Sequence, residues 1–480
     1  MELIAALTGR GLVFNRHFKL GSGSYGTVMA AKVDKEKCPP ATDNSITAYP
    51  LAVKIMDLRL TDPEDYRRIL RELRLISRLN HPNIAKFMGA LPSPDLQTVG
   101  FVFERWATTL SRLLKNKQQR LDITHVQYFT YQLLRALEYL HGSGVIHCDI
   151  KPDNILLMEN CQLAVIDFGM SLTVGDSHNA AAASAASAAS AASNLVLSGP
   201  PVPELPYDLV QTSWYRAPEI VMEQSFGAAI DIWSVGCIMA ELMRACLPEK
   251  RRDDHGALFP CDDDPTIQIA AIYKTLGSLP PALVDRLQAS SRHAEHTGAP
   301  YPTQPVRDLI ADLIKESGVK QRQCRLESLF PYIQEDAVDL LKLMLSFDPM
   351  ERPTAAQLMR HHFFHNVSRK LQGVRIPPVE VSMVDIESLE LAEMPNLVLK
   401  AKLHDMVYPD LIWRIPPELR EKAEDSSAAP DKSTQAAPDK STQAAPDDST
   451  QAAPDDSTQA APDDSTQAAP DESTQAAPDE

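Results

Sequence analysis

Residues 147–154 read His-Cys-Asp-Ile-Lys-Pro-Asp-Asn, and Asp167-Phe168-Gly169 begins thirteen residues after Asn154. Asp149 is a carboxylate that could accept the proton of a hydroxyl. Lys151 could neutralise a phosphate in transfer, and Asn154 could hold a metal through its amide oxygen. Asp167 follows the apolar run Leu-Ala-Val-Ile at 163–166, and an aspartate there suits Mg²⁺, which favours oxygen ligands. Together these residues describe phosphoryl transfer, in which a protein mainly positions groups and neutralises charge.

Further residues upstream fit the same chemistry. Gly21-Ser22-Gly23-Ser24-Tyr25-Gly26-Thr27-Val28 has the spacing GxGxxGxV. Its glycines let backbone N–H groups approach phosphate oxygens without side-chain obstruction. Alone, the run fits a tight turn or a dinucleotide site equally well, although a strand rather than a helix follows it. Leu51-Ala52-Val53-Lys54 places a lysine on an apolar strand. A lysine buried there needs an anion, and Glu72 on the next helix is the candidate. A surface lysine snorkelling to water is the other reading. Ala217-Pro218-Glu219 completes the series. Each motif alone is weak, but their order along one chain is specific.

These residues need elements to hold them. Residues 17–33 read as strand, glycine turn, strand, and 49–58 as a buried strand. Residues 63–80 carry Ile69, Leu73, Ile76 and Leu79 at helical spacing, with His81-Pro82 beyond the end. "TVGFVFERW" is a strand running into a connector at 104–108, and long amphipathic helical patterns follow. Strands therefore dominate the first ~105 residues and helices the rest of the globular part, an α+β pattern that fits one two-lobed domain or two domains.

The chain has 480 residues, a net charge of −17 and 44% hydrophobic residues, enough for a large core. No stretch of about 18 apolar residues exists to span a membrane, and the N-terminus lacks a signal-peptide pattern. The seven cysteines (38, 148, 161, 237, 246, 261 and 324) are scattered, without zinc spacing, and read as reduced thiols of an intracellular protein. From Ala428 an eight-residue unit, AAPD(K/D/E)STQ, recurs with a balance of −10. The acidity thus belongs mostly to a tail with too few apolar groups to fold. The Ala/Ser run at 179–194 has no apolar face and reads as a neutral insertion.

The chain resembles the eukaryotic protein kinases over roughly residues 14–410, and most of all their mitogen-activated branch. "QTSWYRAPE" at 211–219, "DIWSVGCIMAEL" at 231–242 and 329–364 are the closest pieces. Residues 272–330 match an insertion of that branch, and 384–411 its segment that packs back on the small lobe. The resemblance implies a two-lobed domain at 14–364, with the small lobe to about 105 and the large lobe at 106–364. Residues 1–13 precede it, a packed extension follows at 365–425, and the repeat tail is expected to be disordered at 426–480. It implies ATP and Mg²⁺ as cofactors. Leu20, Gly21, Ser22, Gly23, Ser24, Tyr25, Gly26 and Val28 would cover the nucleotide. Ala52 would contact adenine, Glu104 and Trp106 would offer it backbone groups, and Phe103 would close the pocket behind it. Lys54, paired with Glu72, would hold the α- and β-phosphates. Asp149 would be the base, Lys151 would contact the γ-phosphate, and Asn154 and Asp167 would bind Mg²⁺. Lys151 in this loop fits transfer to Ser/Thr rather than Tyr. Trp214 and Arg216 fit a preference for proline after the acceptor, or packing of that segment, and Arg352 would pair with Glu219. Expected partners are protein substrates with Ser/Thr-Pro sites and an upstream kinase, with no nucleic acid. A monomer in cytoplasm, nucleus or both is implied.

The departures cluster on regulation. Cys148 stands where the family has an arginine that binds the activation-loop phosphate, a charge-assisted contact. The paired Thr-x-Tyr acceptors should fall near 207–209, which reads Tyr-Asp-Leu, and Ser213 replaces an arginine. Thr109 stands where an aspartate would meet the ribose. Asp167 to Glu219 spans 53 residues, longer than the resemblance implies. Two readings follow: an active enzyme whose switch is altered, or a kinase-fold scaffold with little transferase activity. Phosphorylation of Tyr207, Thr212 or Ser213 by an upstream kinase is the alternative to a switch that needs no phosphate.

Overall fold

A computed structural model describes residues 12–23, 26–33, 50–58, 63–93, 97–116, 118–173, 212–247, 256–261, 264–297, 303–319 and 321–367. Ser24, Tyr25, the loop at 34–49, the Ala/Ser run, residues 207–209, the extension beyond 367 and the repeat tail lie outside the described residues.

The first lobe is an antiparallel sheet of β1 (Leu12–Gly23), β2 (Gly26–Val33), β3 (Pro50–Asp57), β4 (Phe87–Pro92) and β5 (Thr98–Glu104), in the order β1-β2-β3-β5-β4. Side chains alternate across a strand. Leu51 and Val53 on β3 are therefore buried at 1% and 0% exposure, while Ala52 and Lys54 turn to the other face. Lys54 sits between Val28 on β2 and Phe101 on β5 in the register. Gly26 lies so close to β3 that a Cβ there would stand 2.0 Å from the Ile55 carbonyl oxygen. Only glycine permits that approach.

Helix α1 (Pro63–Arg78) lies beside this sheet in sequence and buries Ile69, Leu70, Leu73 and Ile76. Its first residue is proline, suited to a position whose N–H has no helical partner. It ends two residues before the expected Asn80. Glu72 is carried on the buried side at 4% exposure.

The second lobe is helical. It begins with β6 (Thr108–Thr109) and α2 (Leu110–Lys115), followed by α3 (Ile123–Gly142). Asp122 caps α3, accepting from the N–H groups of Thr124 and His125, which satisfies donors with no helical partner. The short strands β7 (Val145–Ile146), β8 (Ile155–Leu157), β9 (Leu163–Val165) and β10 (Leu172–Thr173) carry the motif-bearing loops between them. Helix α4 (Ala229–Ala245) is buried at every position from Ala229 to Met243; most of these positions are apolar, and Asp231, Ser234 and Glu241 are buried among them. Trp233 on α4 stacks on Phe259 at 5.5 Å. Helices α5 (Pro265–Leu276), α6 (Pro281–Thr297), α7 (Gln304–Val319) and α8 (Glu335–Met344) complete the lobe.

Candidate active site

The two lobes line one cleft of about 890 Å³. The sheet contributes Leu20, Gly21, Gly26, Val28, Ala52 and Lys54, and α1 contributes Glu72. Phe103, Glu104 and Trp106 come from the end of β5 and the connector. Asp149, Lys151, Asn154 and Asp167 come from the loops of the second lobe. Ser22 and Gly23 continue β1 beyond the lining residues. Trp214, Arg216, Glu219 and Arg352 also lie outside the lining.

A three-residue charge network crosses the cleft. Lys54 Nζ donates to both Glu72 oxygens, at 2.7 and 2.8 Å, and to Asp167 Oδ1 at 3.1 Å. Burial works against the Lys54 charge, but Glu72 and Asp167 outweigh it and raise its pKa. Burial pushes the Glu72 carboxyl up from its ordinary value, and Lys54 pulls against that shift. Burial likewise opposes ionisation of Asp167, yet Lys54 holds its carboxyl below the usual range. Asp167 adopts φ +69°, a left-handed backbone that costs a non-glycine residue about 1–3 kcal/mol. The neighbouring Phe168 ring is 1% exposed and packs 5.0 Å from the His147 ring, fixing the turn. Burying such a ring contributes about 2 kcal/mol.

The second cluster centres on Asp149. Lys151 Nζ lies 2.8 Å from Asp149 Oδ2 and donates to Thr212 Oγ1 at 2.8 Å. Thr212 Oγ1 donates in turn to Asp149 Oδ1 at 2.9 Å. Asn154 Nδ2 donates to the Asp149 carbonyl and to Oδ2, each at 2.9 Å. The carboxylate is thus held from several sides, and its orientation is set before any substrate arrives.

Asp231 at the start of α4 supports that loop from behind. It is 0% exposed and accepts from His147 N–H at 2.8 Å and from Cys148 N–H at 3.0 Å. His141 Nε2 stands 2.9 Å from the same carboxylate. His147 Nε2 donates to the Ile166 carbonyl at 3.1 Å, and its Nδ1 accepts from Asp149 N–H at 3.2 Å. One ring thereby joins the Asp149 loop to Ile166, the residue before Asp167. Cys148 is 2% exposed with φ +63°. Burial pushes its thiol pKa well up, so the side chain is a packed apolar group rather than a reactive thiolate. The backbone of residue 148, not its side chain, makes the bond to Asp231.

Outside the cleft, Arg352 and Glu219 form a bidentate pair at 2.6 and 2.7 Å, both almost fully buried. Arg352 also lies 5.0 Å over the Trp233 ring. Trp214 is 37% exposed and donates Nε1–H to the Cys261 carbonyl. Arg216 is buried, and Gln268 Nε2 on α5 donates to the Ser213 and Arg216 carbonyls. Thr109 caps α2, accepting from Arg112 N–H at 3.2 Å. Arg112 reaches back across the cleft mouth and donates to the Leu20 carbonyl at 2.6 Å.

Thr212, Asp231 and Arg112 belong to the site although motif reading gave them no part in it. Asp231 had a signal: an acid opening an otherwise apolar helix must find partners.

A cation flanked by two carboxylates, a positioned aspartate and a neighbouring lysine form a set suited to phosphoryl transfer. Residues 14–364 match the protein kinase domain family. The chain is 31% identical over 393 residues to mitogen-activated protein kinase spk1 of Schizosaccharomyces pombe, covering 79% of this chain and 87% of that one. It is 33% identical over 345 residues to mitogen-activated protein kinase mpkC of Aspergillus niger, covering 72% and 69%. Against mitogen-activated protein kinase 6 of Arabidopsis thaliana it is 29% identical over 352 residues, 72% of each. The chain belongs to the mitogen-activated protein kinase family. It is a serine/threonine protein kinase with that family's two-lobed fold, and the scaffold reading is not favoured. Membership implies use of ATP, typically with Mg²⁺. Among the described residues no helix is long and apolar enough to cross a membrane.

Proposed function

We propose that this kinase transfers the γ-phosphate of ATP to serine or threonine followed by proline in protein substrates, under an altered activation switch. The observation that carries the reading is the joined pair of clusters. Lys54, Glu72 and Asp167 are connected at 2.7–3.1 Å, and Asp149, Lys151, Thr212 and Asn154 at 2.8–2.9 Å.

In this reading Gly21, Gly26 and Val28 cover the nucleotide and Ala52 lies against adenine. The Glu104 and Trp106 backbones orient it in front of Phe103. Lys54 holds the α- and β-phosphates and is itself held by Glu72. The substrate hydroxyl donates to Asp149, which takes its proton as the oxygen bonds to the γ-phosphorus and the bond from that phosphorus to the bridging oxygen breaks, releasing ADP. Lys151 neutralises charge on the moving group. Thr212 fixes Asp149 and Lys151 relative to each other. Trp214 and Arg216 shape the surface that receives the residue after the acceptor.

The Mg²⁺ that the family implies fits Asp167 and Asn154. The Asn154 amide nitrogen is engaged by Asp149, which leaves its carbonyl oxygen as a donor. Among the described residues no group of three or more His, Cys, Asp and Glu forms a metal cluster. Phosphate and water would complete the coordination, which is how Mg²⁺ is commonly held. Bound there, it would screen the charge of the phosphates.

The switch follows from Cys148. A buried thiol offers no charge to a phosphate, and Tyr207-Asp208-Leu209 lacks the paired acceptors. Catalysis in this enzyme does not depend on a phosphate in the activation segment. The Thr212 hydroxyl is engaged by Asp149 and Lys151, so it serves the catalytic loop rather than receiving a signal. An upstream kinase would act elsewhere. The domain unit is 14–364, with 365–425 as its extension, acting as a monomer in cytoplasm, nucleus or both.

The test is transfer from labelled ATP to Ser-Pro and Ser-Ala peptides, before and after phosphatase treatment of the protein. Labelling of Ser-Pro about tenfold or more above Ser-Ala is expected, in the range of one apolar pocket's discrimination. Phosphatase treatment should change the rate by less than about tenfold, or ~1.4 kcal/mol. Equal labelling of the two peptides overturns the proline preference. A larger fall overturns the altered switch.

A further inference from the structure

Gln268 is a buried amide to which the reaction above gives no task. It lies on α5 at 1% exposure, next to Ile269 and one turn from Ile272, both fully buried. A polar group in such surroundings is costly unless it is bonded. Its Nε2 carries two hydrogens, and two acceptors face them: the Ser213 carbonyl, and the Arg216 carbonyl at 3.1 Å. These carbonyls lie 55 and 52 positions upstream. The side chain therefore ties α5 to a distant segment rather than to its own helix.

That segment is a short turn, Ser213–Tyr215, with no side-chain cap at Thr212. Other elements hold it as well. Trp214 Nε1–H donates to the Cys261 carbonyl at 2.8 Å, and Ser234 Oγ on α4 donates to the Tyr215 carbonyl at 2.9 Å. Thr212 stands immediately before the turn, and its carbonyl accepts from Tyr215 N–H at 2.9 Å. The turn is thus the frame from which the Thr212 hydroxyl reaches Asp149 Oδ1, 2.9 Å away. Gln268 grips that frame at both ends, at Ser213 and at Arg216.

We propose that Gln268 is a positioning residue for phosphoryl transfer, fixing the turn that presents Thr212 to Asp149. It is not among the residues that line the cleft, so it acts through Thr212 and not on nucleotide or acceptor. The proposal rests on the role given to Thr212 above and extends it to α5. A reacting group is only as well placed as the elements that support it, and a shift of about an ångström in that support lowers the rate.

The experiment is a double-variant cycle in steady-state ADP release with a Ser-Pro peptide, using wild type, Gln268→Met, Thr212→Val and the two combined. Methionine keeps the length and bulk of the side chain and removes its donors. Gln268→Met should lower kcat about tenfold, the scale of the net contribution of one or two hydrogen bonds. KM for ATP should stay within about twofold, because the nucleotide contacts are untouched. In the Thr212→Val background the same substitution should change kcat by less than about twofold, because the hydroxyl it places is already gone. Equal falls in the two backgrounds, which a loss of folded enzyme or a general packing role would give, overturn the proposal. Gln268→Met with kcat within about twofold of wild type overturns it too. Gln268→Glu, which sets acceptor oxygens against the same two carbonyls, is the second variant and should repeat the pattern. No activity in either Gln268 variant would assign the residue to the fold and overturn the positioning role. Thr212→Val at the wild-type rate would instead remove the Thr212 reading, and this proposal with it.

Discussion

Replacing Thr212 by valine keeps the volume of the side chain and removes its hydroxyl. In the folded enzyme that hydroxyl donates to Asp149 Oδ1 at 2.9 Å and accepts from Lys151 at 2.8 Å. Hydrogen bonds to charged partners contribute about 1.5–3 kcal/mol each. The two losses do not add in full. Asp149 keeps Lys151 and Asn154, and the Asp149 and Lys151 side chains are 12% and 24% exposed, so water can replace part of what is lost. A net cost near 2–3 kcal/mol at the transition state corresponds to a fall in kcat/KM of about 30- to 150-fold. The fall should appear mainly in kcat, because Thr212 orients the reacting groups rather than gripping the nucleotide. Thr212→Ser restores the hydroxyl and should stay within about fivefold of wild type, or ~1 kcal/mol. The assay is steady-state ADP release with a Ser-Pro peptide, with kcat and KM resolved for each variant. A valine variant within about threefold of wild type, or a serine variant as impaired as valine, refutes the positioning role.

Two further outcomes concern stability. Arg352→Met leaves Glu219 buried at 1% exposure without its cation, and should cost about 3–5 kcal/mol in chemical denaturation; a cost below about 1 kcal/mol contradicts the structural weight given to the pair. His81 stacks 4.9 Å from Tyr139 and accepts from Asn83 N–H at 3.0 Å, and burial, aided by the Arg135 charge, lowers its pKa to about 3. Above pH ~6.5 the imidazole is neutral in both folded and unfolded chains. Below that pH the unfolded chain takes up a proton that the folded one refuses, so stability falls as pH drops from ~6.5 toward 3. Each pH unit in that window costs up to about 1.4 kcal/mol, or ~2 kcal/mol between pH 7 and 5. In denaturation at the two pH values, His81→Asn should lose less stability than wild type by that difference, and identical losses contradict it.

Much of the site was legible because it is written in short runs. Asp149, Lys151 and Asn154 lie within six residues of one another, and Lys54 is fixed by the alternation of a single strand. What stayed hidden depends on contacts distant in sequence. Thr212 reaches Asp149 across 63 positions, Asp231 reaches Cys148 across 83, and Arg112 reaches Leu20 across 92. No local pattern encodes such pairs. Gly26 shows a second limit: its motif suggests approach to phosphate, whereas its immediate constraint is the Ile55 carbonyl of the next strand. Cys148 shows a third. The residue type predicts a lost charge, and the structure adds that the backbone at 148 still anchors the loop to Asp231.

The central claim is that this cleft transfers phosphate through Asp149 and Lys54. Its most direct test is transfer from γ-labelled ATP to a Ser-Pro peptide by wild type, Asp149→Asn and Lys54→Met. Wild type should label the peptide, and each variant should fall by about 100-fold or more, or ~2.7 kcal/mol. Equal labelling by all three, or none by wild type, would contradict the account.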